Sequence, residues 1–227
     1  MICAIMQPTY LPWAGYFNLI SQADVFVFLD DAQFQKNSWH NRNRVLVNRA
    51  PHWISVPVKH NFLGQKINET EIVKTQPWRK KHSKLLQQTY CKHPFSDDIL
   101  GITNIIEQED FKNLAELNIR LLLWFIEKLN IKTKTYLSSQ IDIDGKRTER
   151  IIRILDHLLA DTYLSPKGST EYLEEDGFSD LTETNIVFQN YNSAPYMQCG
   201  SNDFESHLSI VDVVANIGWK STKQYIE

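Results

Sequence analysis

Two uninterrupted apolar runs open the chain and enclose its most informative segment. Residues 2–6 and 25–29 show no polar alternation, which is typical of strands buried on both faces. Between them, residues 13–22 carry apolar side chains at helical spacing, and the interval suits a crossover that joins two parallel strands. The loop over 7–13 holds two prolines, which prevent the first strand from continuing. The opening is therefore predicted to be a parallel strand–helix–strand unit.

The same alternation continues through most of the chain after one insertion. Runs over 45–47 and 52–58, separated by a longer turn at 48–51, predict a β-hairpin. Further strands are predicted over 132–137, 161–164 and 186–189, and helices over 78–91, from 94 onwards, 111–129, 147–159 and 207–217, the last one ended by Gly218. This order predicts an α/β fold with a mostly parallel sheet, flanking helices and an inserted β-hairpin. We expect a single domain over 1–227, in which 77–130 is a candidate small helical lobe.

Charge and composition narrow the classes of partner. The net charge is −3 and the isoelectric point is near 6.2, so the chain has no basic field and we expect no binding to nucleic acid. No apolar run reaches the roughly 18 residues that span a bilayer, so we expect no membrane insertion. The three cysteines are far apart and form no CxxC pair, which is typical of a reducing compartment. We therefore expect a cytoplasmic protein.

The segments that follow the first two strands form the first candidate site, because open parallel sheets bind ligands beyond the carboxyl ends of their strands. Gln7, Tyr10 and Trp13 follow the first strand and offer an amide and two rings to a substrate. Asp30 and Asp31 follow the second strand, and one of them is expected to act as a base, to bind an ammonium group or to hold Mg²⁺. The alternative is that both cap the next turn.

A cationic and aromatic segment over 36–44 is a candidate clamp for a diphosphate. Guanidinium groups form paired hydrogen bonds to phosphate oxygens, and an indole stacks on a base. The candidate residues are Lys36, Trp39, Asn41, Arg42 and Arg44. The alternation over 41–44 equally describes a solvated strand edge, on which one pair of side chains faces a ligand.

Other candidates lie farther along the chain. His82 follows Trp78 by four residues on one predicted helix face and is a candidate general base. Ser165 and Lys167 stand between a strand and a helix, where hydroxyl and ammonium groups bind anions. Tyr196 belongs to a loop of rings and amides that suits a sugar. The chain contains no GxxxxGK[ST] or GxGxxG motif and no HxxxH or HxH spacing, so we expect no metal site and no cofactor.

Several segments together resemble the WbqC-like protein family. They are Gln7-Pro-Thr-Tyr-Leu-Pro-Trp-x-Gly-Tyr-Phe17, 24–34, Ser38-Trp-x-x-Arg-Asn-Arg44, Trp78-Arg-Lys-x-His82, 163–165 with Gly168, and 208–212 with Asn216 and Gly218. The resemblance covers nearly the whole chain. It implies a role in bacterial surface-polysaccharide (O-antigen or lipopolysaccharide) biosynthesis, on a nucleotide-linked sugar. One departure is Ser165-Pro-Lys-Gly168, where a turn of the Ser-Gly-x-Gly kind is expected.

The first strand and helix also resemble the nucleotidylyltransferase arrangement. In that arrangement an HxGH motif occupies the position of Trp13-x-Gly15-Tyr16 in this chain. Here two aromatic residues replace both histidines, and aromatic rings do not stabilise a transferring phosphoryl group as cations do. A nucleotidylyltransferase-like N-terminal unit is thus expected to serve another use.

The resemblance and the candidate residues lead to three hypotheses. The first is a transferase that moves an acyl or aminoacyl group, from a donor that is free or carrier-bound, onto the amino group of a nucleotide-linked amino sugar. It requires no metal, and since Cys3 lies within a buried strand, direct attack by the amine is expected. The second is nucleotidylyl or glycosyl transfer to a sugar phosphate, with Mg²⁺ on Asp30 or Asp31. The third is a non-catalytic component that binds the nucleotide-sugar.

Overall fold

A parallel sheet forms the centre of the protein. The computed structural model describes residues 1–141, 143–201 and 203–227. In chain order the strands are β1 (Ile2–Met6), β2 (Val25–Phe28), β3 (Arg42–Val47), β4 (Ala50–Ser55), β5 (Lys134–Leu137), β6 (Thr162–Ser165) and β7 (Asn185–Phe188). The helices are α1 (Ala14–Ser21), α2 (Trp78–Tyr90), α3 (Leu100–Gln108), α4 (Leu114–Lys128), α5 (Ser138–Ile141), α6 (Arg147–His157), α7 (Thr170–Glu175), α8 (Phe178–Leu181) and α9 (Ile210–Ile226).

The order of the strands makes this a doubly wound sheet. The five strands lie in the order β5-β2-β1-β6-β7, and all neighbours are parallel. From β1 the chain first builds the sheet outward through β2 and β5, and then returns to place β6 on the other side of β1. The predicted α/β class with a mostly parallel sheet is confirmed. The position between β1 and β6 is the switch point, where such sheets leave a crevice.

Each face of the sheet is covered by a separate apolar layer. Side chains alternate along a strand, so Ala4 and Phe26 face one layer while Cys3 and Val25 face the other. The first layer contains α1, α2, α3, α4 and α9, and the second contains α6, α7 and α8. Burial on both faces explains why β1 and β2 are apolar without alternation. None of the described helices is long and apolar enough to cross a membrane.

The inserted β-hairpin begins earlier and turns more tightly than its sequence predicts. β3 starts at Arg42, three residues before the predicted run over 45–47, and pairs antiparallel with β4. Asn48 and Arg49 alone form the turn, with φ of 50° and 67°. Positive φ at both central residues gives the two-residue turn whose twist matches the strands, and asparagine tolerates that conformation. The expected turn over 48–51 is therefore corrected to two residues.

The last helix continues past the glycine that was expected to end it. α9 contains Gly218 at φ 71° and ψ 170°, which is not helical, and the helix resumes beyond it. A side chain at this position would place its Cβ atom 2.7 Å from the ring of Phe95. Gly218 thus kinks α9 and allows the close approach of Phe95.

A buried pair of polar rings joins the loop after β1 to α2. The hydroxyl of Tyr10 is hydrogen-bonded to Nδ1 of His82 at 2.9 Å, and the imidazole also bonds to the backbone of Ser55. Tyr10 is fully buried and His82 nearly so. Burial disfavours the charged imidazole and lowers the pKa of His82 to about 4. His82 is therefore a neutral structural link in the core.

We expect Gly218→Ala to lower the free energy of unfolding by about 1–3 kcal/mol, since alanine is strained at positive φ and its Cβ would meet Phe95. Urea denaturation measures the change. Gly168→Ala is the matched control, because no atom lies within 4 Å of its Cβ position and its φ is ordinary. Equal stability of the two variants would contradict the kink's packing role.

We expect stability to fall as the pH drops from about 6.5, the ordinary pKa of histidine, towards 4. In that range the unfolded chain takes up a proton that folded His82 does not, because burial lowers its pKa to about 4. The loss at His82 reaches about 3 kcal/mol, at 1.36 kcal/mol per pKa unit.

His82→Gln should flatten this part of the stability profile, measured by urea denaturation at several pH values. His157→Gln, which changes an exposed histidine, is the control and should leave the profile as it is. Parallel curves for the wild type and His82→Gln would show that His82 makes no contribution.

Candidate functional site

A crevice of about 690 Å³ opens at the carboxyl ends of β1, β2, β6 and β7. It lies at the switch point of the sheet. The sequence predicts a ligand edge at the ends of the first two strands, and the crevice includes both of these ends but extends across β1 to β6 and β7. Its aromatic lining consists of Trp13, Tyr16, Tyr163, Tyr172, Tyr191 and His207. Its polar lining consists of Gln7, Lys167, Ser169, Gln189 and Asn192. Three of the predicted binding residues, Gln7, Trp13 and Lys167, therefore meet in one cavity.

The charged side chains around the crevice are unbalanced. Among the described residues that line it, none is an aspartate or a glutamate, whereas Lys167 brings an ammonium group. The whole chain carries a net charge of −3, so the crevice differs in charge from the rest of the molecule. An opening of this kind suits an anionic ligand.

The loop over 7–13, which we call the β1 loop, is held by buried amides. Asn43 Nδ2 donates to the carbonyls of Tyr10 and Leu11 at 3.1 and 2.8 Å. Asn118 Nδ2 donates to the carbonyls of Pro8 and His40 at 3.0 and 2.8 Å. The prolines leave this loop without a regular strand ladder, so side-chain amides satisfy its carbonyl groups.

Trp13 stands at the end of the β1 loop and forms a partition. Its ring lies 4.6 Å from that of His207 and 5.5 Å from that of Tyr191, measured between centroids. Gly15 makes this orientation possible, because a Cβ atom there would lie 2.2 Å from the indole. The packing of the Trp13 ring therefore requires a glycine two residues later, which explains the Trp-x-Gly spacing of the sequence.

His207 is a site residue that the sequence analysis did not identify. It is exposed, its Nδ1 lies 2.8 Å from the hydroxyl of Ser206, and its backbone has φ 58°. The start of α9 fixes its position, since Ser209 N donates to the carbonyl of Arg44 and Ile210 N to that of Pro12. The segment over 208–212 that follows it is part of the family resemblance, but His207 itself belongs to none of the segments that carry it. It meets Trp13 only through folding of the chain.

On the far side of the partition lies a second cavity of about 260 Å³, which we call the side cavity. It shares Met6, Trp13, Tyr16 and His207 with the crevice, and Thr9, Pro12, Trp39 and Asn43 complete its lining. Trp39, a predicted binding residue, thus lies at a different cavity from Lys167. Both cavities meet at the rings of Trp13 and His207.

The predicted residues of β6 and its turn occupy two environments. Ser165 is fully buried at the end of the strand. Lys167 is exposed and lines the crevice beside Gly168 and Ser169. Gln189, at the end of β7, donates to the carbonyl of Gly15 at 2.8 Å and thereby holds the start of α1 against this edge.

The two candidate acids lie behind the crevice and have partners of their own. Asp30 is 4% exposed and accepts hydrogen bonds from Ser138, Ser139 and the amide of Asn68. Asp31 is bonded to Ser138 and Arg150. Burial opposes ionisation of Asp31, but the bonds from Arg150 and Ser138 outweigh it and hold its pKa below the usual range. Neither aspartate lines the crevice.

Within the cationic segment over 36–44, the two arginines lie half-exposed on one face of β3. The guanidinium of Arg42 lies 4.3 Å from the centroid of Trp53, and Arg44 pairs with Glu205 at 3.2 Å. Both arginines alternate with buried Asn41 and Asn43, so one face of β3 is cationic and the other is structural. Asn41 donates to the carbonyl of Val56, and Lys36 is exposed in the preceding loop.

The remaining predicted residues lie in the interior. Tyr10 and His82 form the buried pair described above and line neither cavity. Tyr196 donates to Asp212 at 2.6 Å, within a buried cluster where Tyr90 also donates to that carboxyl. Burial raises the pKa of Asp212, against the effect of these bonds. In the described part of the chain no group of three or more His, Cys, Asp and Glu side chains is arranged for a metal ion.

Comparison with known proteins identifies the family. A model of the WbqC-like protein family matches residues 7–224. The uncharacterized protein Rv1507c of Mycobacterium tuberculosis (strain ATCC 25618 / H37Rv) is 34% identical over 217 residues, which cover 95% of this chain and 93% of that protein. No solved structure matches. The match spans both the β1 loop and the start of α9, and the chain belongs to the WbqC-like protein family.

Proposed function

We propose that the protein is a transferase of bacterial surface-glycan biosynthesis that acylates or aminoacylates the amino group of a nucleotide-linked amino sugar. The observation that carries this proposal is the crevice at the switch point, which combines aromatic rings and amides with Lys167 and has no acidic lining residue among those described. A nucleotide-sugar presents rings, hydroxyls and a diphosphate, and each has a matching group there. Its volume of about 690 Å³ lies within the usual range for small-molecule sites.

In this proposal the distribution of the lining residues sets the orientation of the bound substrate. Lys167 and the hydroxyl of Ser169 are grouped at the β6 end of the crevice and are placed to bind the diphosphate. Trp13 and Gln7 lie at the β1 end, where an indole packs against the apolar face of a sugar ring and an amide bonds to its hydroxyls. The amino sugar would then lie near the partition formed by Trp13 and His207.

His207 is the best-placed base for the amine. Amine attack on an acyl carbon requires removal of a proton, and imidazole performs this step near neutral pH. His207 is exposed and lines the crevice, whereas Asp30, Asp31 and His82 have internal partners and do not. From sequence, these three residues are the candidates for the base; in this proposal their role is to maintain the structure.

The position of Arg150 weighs against the metal-dependent alternative. A divalent cation between Asp30 and Asp31 would have to displace the guanidinium of Arg150 from Asp31 and the serine hydroxyls from both carboxyls. Nucleotidylyl transfer with Mg²⁺ at this pair is therefore a weaker candidate than amine acylation. Metal-dependent turnover of a nucleoside triphosphate with a sugar phosphate would reverse this order.

We expect Lys167→Ala to weaken nucleotide-sugar binding by about 10- to 100-fold, because a charge-assisted hydrogen bond contributes roughly 1.5–3 kcal/mol. Isothermal titration calorimetry with nucleoside diphosphate amino sugars measures the change. Lys80→Ala, which removes an exposed lysine on α2, is the matched control. Unchanged affinity of Lys167→Ala would remove the crevice as the nucleotide-sugar site.

We expect His207→Asn to reduce turnover by about 100-fold, the usual contribution of a general base, with nucleotide-sugar affinity nearly unchanged. Asparagine is chosen because it tolerates the positive φ of 58° at this position. The reaction is followed with amino-sugar substrates and acyl or aminoacyl donors. Full turnover in the variant would exclude His207 as the base, and tight binding without turnover for any donor would make the protein a binding component.

A further inference from the structure

The side cavity has the properties of a separate binding site for an apolar group. Its volume is about 260 Å³. Among the described residues that line it there is no aspartate, glutamate, lysine or arginine, and three of the eight are Trp13, Tyr16 and Trp39. Such a lining favours uncharged, apolar ligand atoms and offers an ammonium or carboxylate no ionic partner.

The side cavity adjoins the site proposed for the amino sugar. Trp13 and His207 line both cavities, so groups held on the two sides meet at this pair of rings. The two rings lie in contact, with centroids 4.6 Å apart. A two-substrate reaction needs this arrangement, in which a single base reaches the junction of two separately bound partners.

The side cavity opens beside a surface of different chemistry, which we call the outer platform and which consists of Trp39, Trp53 and Arg42. The two indoles are 5.2 Å apart and remain 47% and 42% exposed. Arg42 lies over Trp53, and within the described parts of the chain it pairs with no carboxylate, unlike Arg44. An exposed ring pair with an uncommitted guanidinium suits a phosphorylated group that carries a planar base.

We propose that the side cavity binds the acyl group of a phosphopantetheine thioester, such as acyl-coenzyme A, and that the outer platform binds the phosphorylated carrier. The apolar interior and the cationic mouth fit the two ends of such a molecule. This inference rests on the proposed function and specifies its donor. The absence of an acidic lining residue among those described selects an uncharged acyl group over an aminoacyl group with its ammonium.

The transfer balances without a further reactant. The amine of the sugar attacks the thioester carbonyl, forming a carbon–nitrogen bond with the nitrogen lone pair. The carbon–sulfur bond then breaks, and its electron pair leaves on the thiolate. His207 takes the proton released by the amine and returns it to the thiolate. The products are the amide of the sugar and the free thiol.

The test uses a thioether analogue of acyl-coenzyme A, which binds but cannot transfer its chain. Calorimetry should show saturable binding to the wild type, with short acyl chains accepted, since the side cavity has a volume of about 260 Å³. Trp39→Ala should weaken this binding about tenfold and leave nucleotide-sugar affinity unchanged. Phe62→Ala removes an exposed ring that lines neither cavity and should bind the analogue like the wild type.

Two further arms identify the source of the carrier. Arg42→Ala should weaken binding of the coenzyme A analogue more than binding of a pantetheine analogue that lacks phosphate groups. The same thioether attached to an acyl carrier protein shows whether the phosphopantetheine is protein-bound: tighter binding of that form assigns the donor to the carrier protein, and tighter binding of the coenzyme A form assigns it to the free cofactor.

The outcomes separate this inference from the proposed function. If the wild type binds neither analogue, or if Trp39→Ala binds as well as the wild type, the side cavity is not the donor site. Nucleotide-sugar binding that still depends on Lys167 would then leave the proposed function standing. If the analogue binds through Trp39 but Lys167→Ala leaves nucleotide-sugar affinity intact, the proposed acceptor fails and the donor site remains.

Discussion

The arrangement of the site depends on how the polypeptide satisfies the carbonyl groups of a proline-containing loop that leaves a buried strand. Pro8 and Pro12 lie in the β1 loop and can donate no backbone hydrogen bond, and most of this loop is buried. Asn43 from the β-hairpin and Asn118 from α4 each bridge two carbonyl oxygens, with the β1 loop contributing three of the four. An unsatisfied buried carbonyl would cost about 1–3 kcal/mol, so these amides fix the loop in one conformation.

Fixing the β1 loop also fixes the elements that meet there. The carbonyl of Pro12 accepts from Ile210 at the start of α9, and that of Gln7 accepts from the hydroxyl of Tyr16. Trp13 is thereby held between two cavities, and His207 is brought against it from the other end of the chain. The β-hairpin, which is remote from the sheet in topology, takes part in the site because Asn43 reaches the β1 loop. Trp39, in the segment just before β3, lines the side cavity.

The sequence predicts the sheet and the ligand edge because both follow from local patterns, but it predicts side-chain partners poorly. Buried strands read as apolar runs, and the rule for parallel sheets places Gln7 and Trp13 at a ligand edge, where they line the crevice. Lys167, predicted as an anion contact from its turn between a strand and a helix, lines the same crevice. The alternation over 41–44 leaves open which pair of side chains faces outward, and burial of Asn43 decides this. His207 has no local signal, since its partner lies about two hundred residues away in sequence. The local pattern predicts a helix end at Gly218, because the contact of Gly218 with Phe95 is also non-local.

The acidic pair shows that a residue that follows a strand of the sheet does not necessarily line the site. Asp30 and Asp31 lie just beyond the end of β2, yet their carboxyls turn towards α5 and α6 and accept from Ser138, Ser139 and Arg150. These bonds join the end of β2 to the start of α5 and thereby hold the rim of the sheet in place. Because the acids are directed inward, the described lining of the crevice keeps Lys167 and His207 without a neighbouring carboxylate. The same bonds that stabilise the rim therefore leave the crevice suited to an anionic substrate.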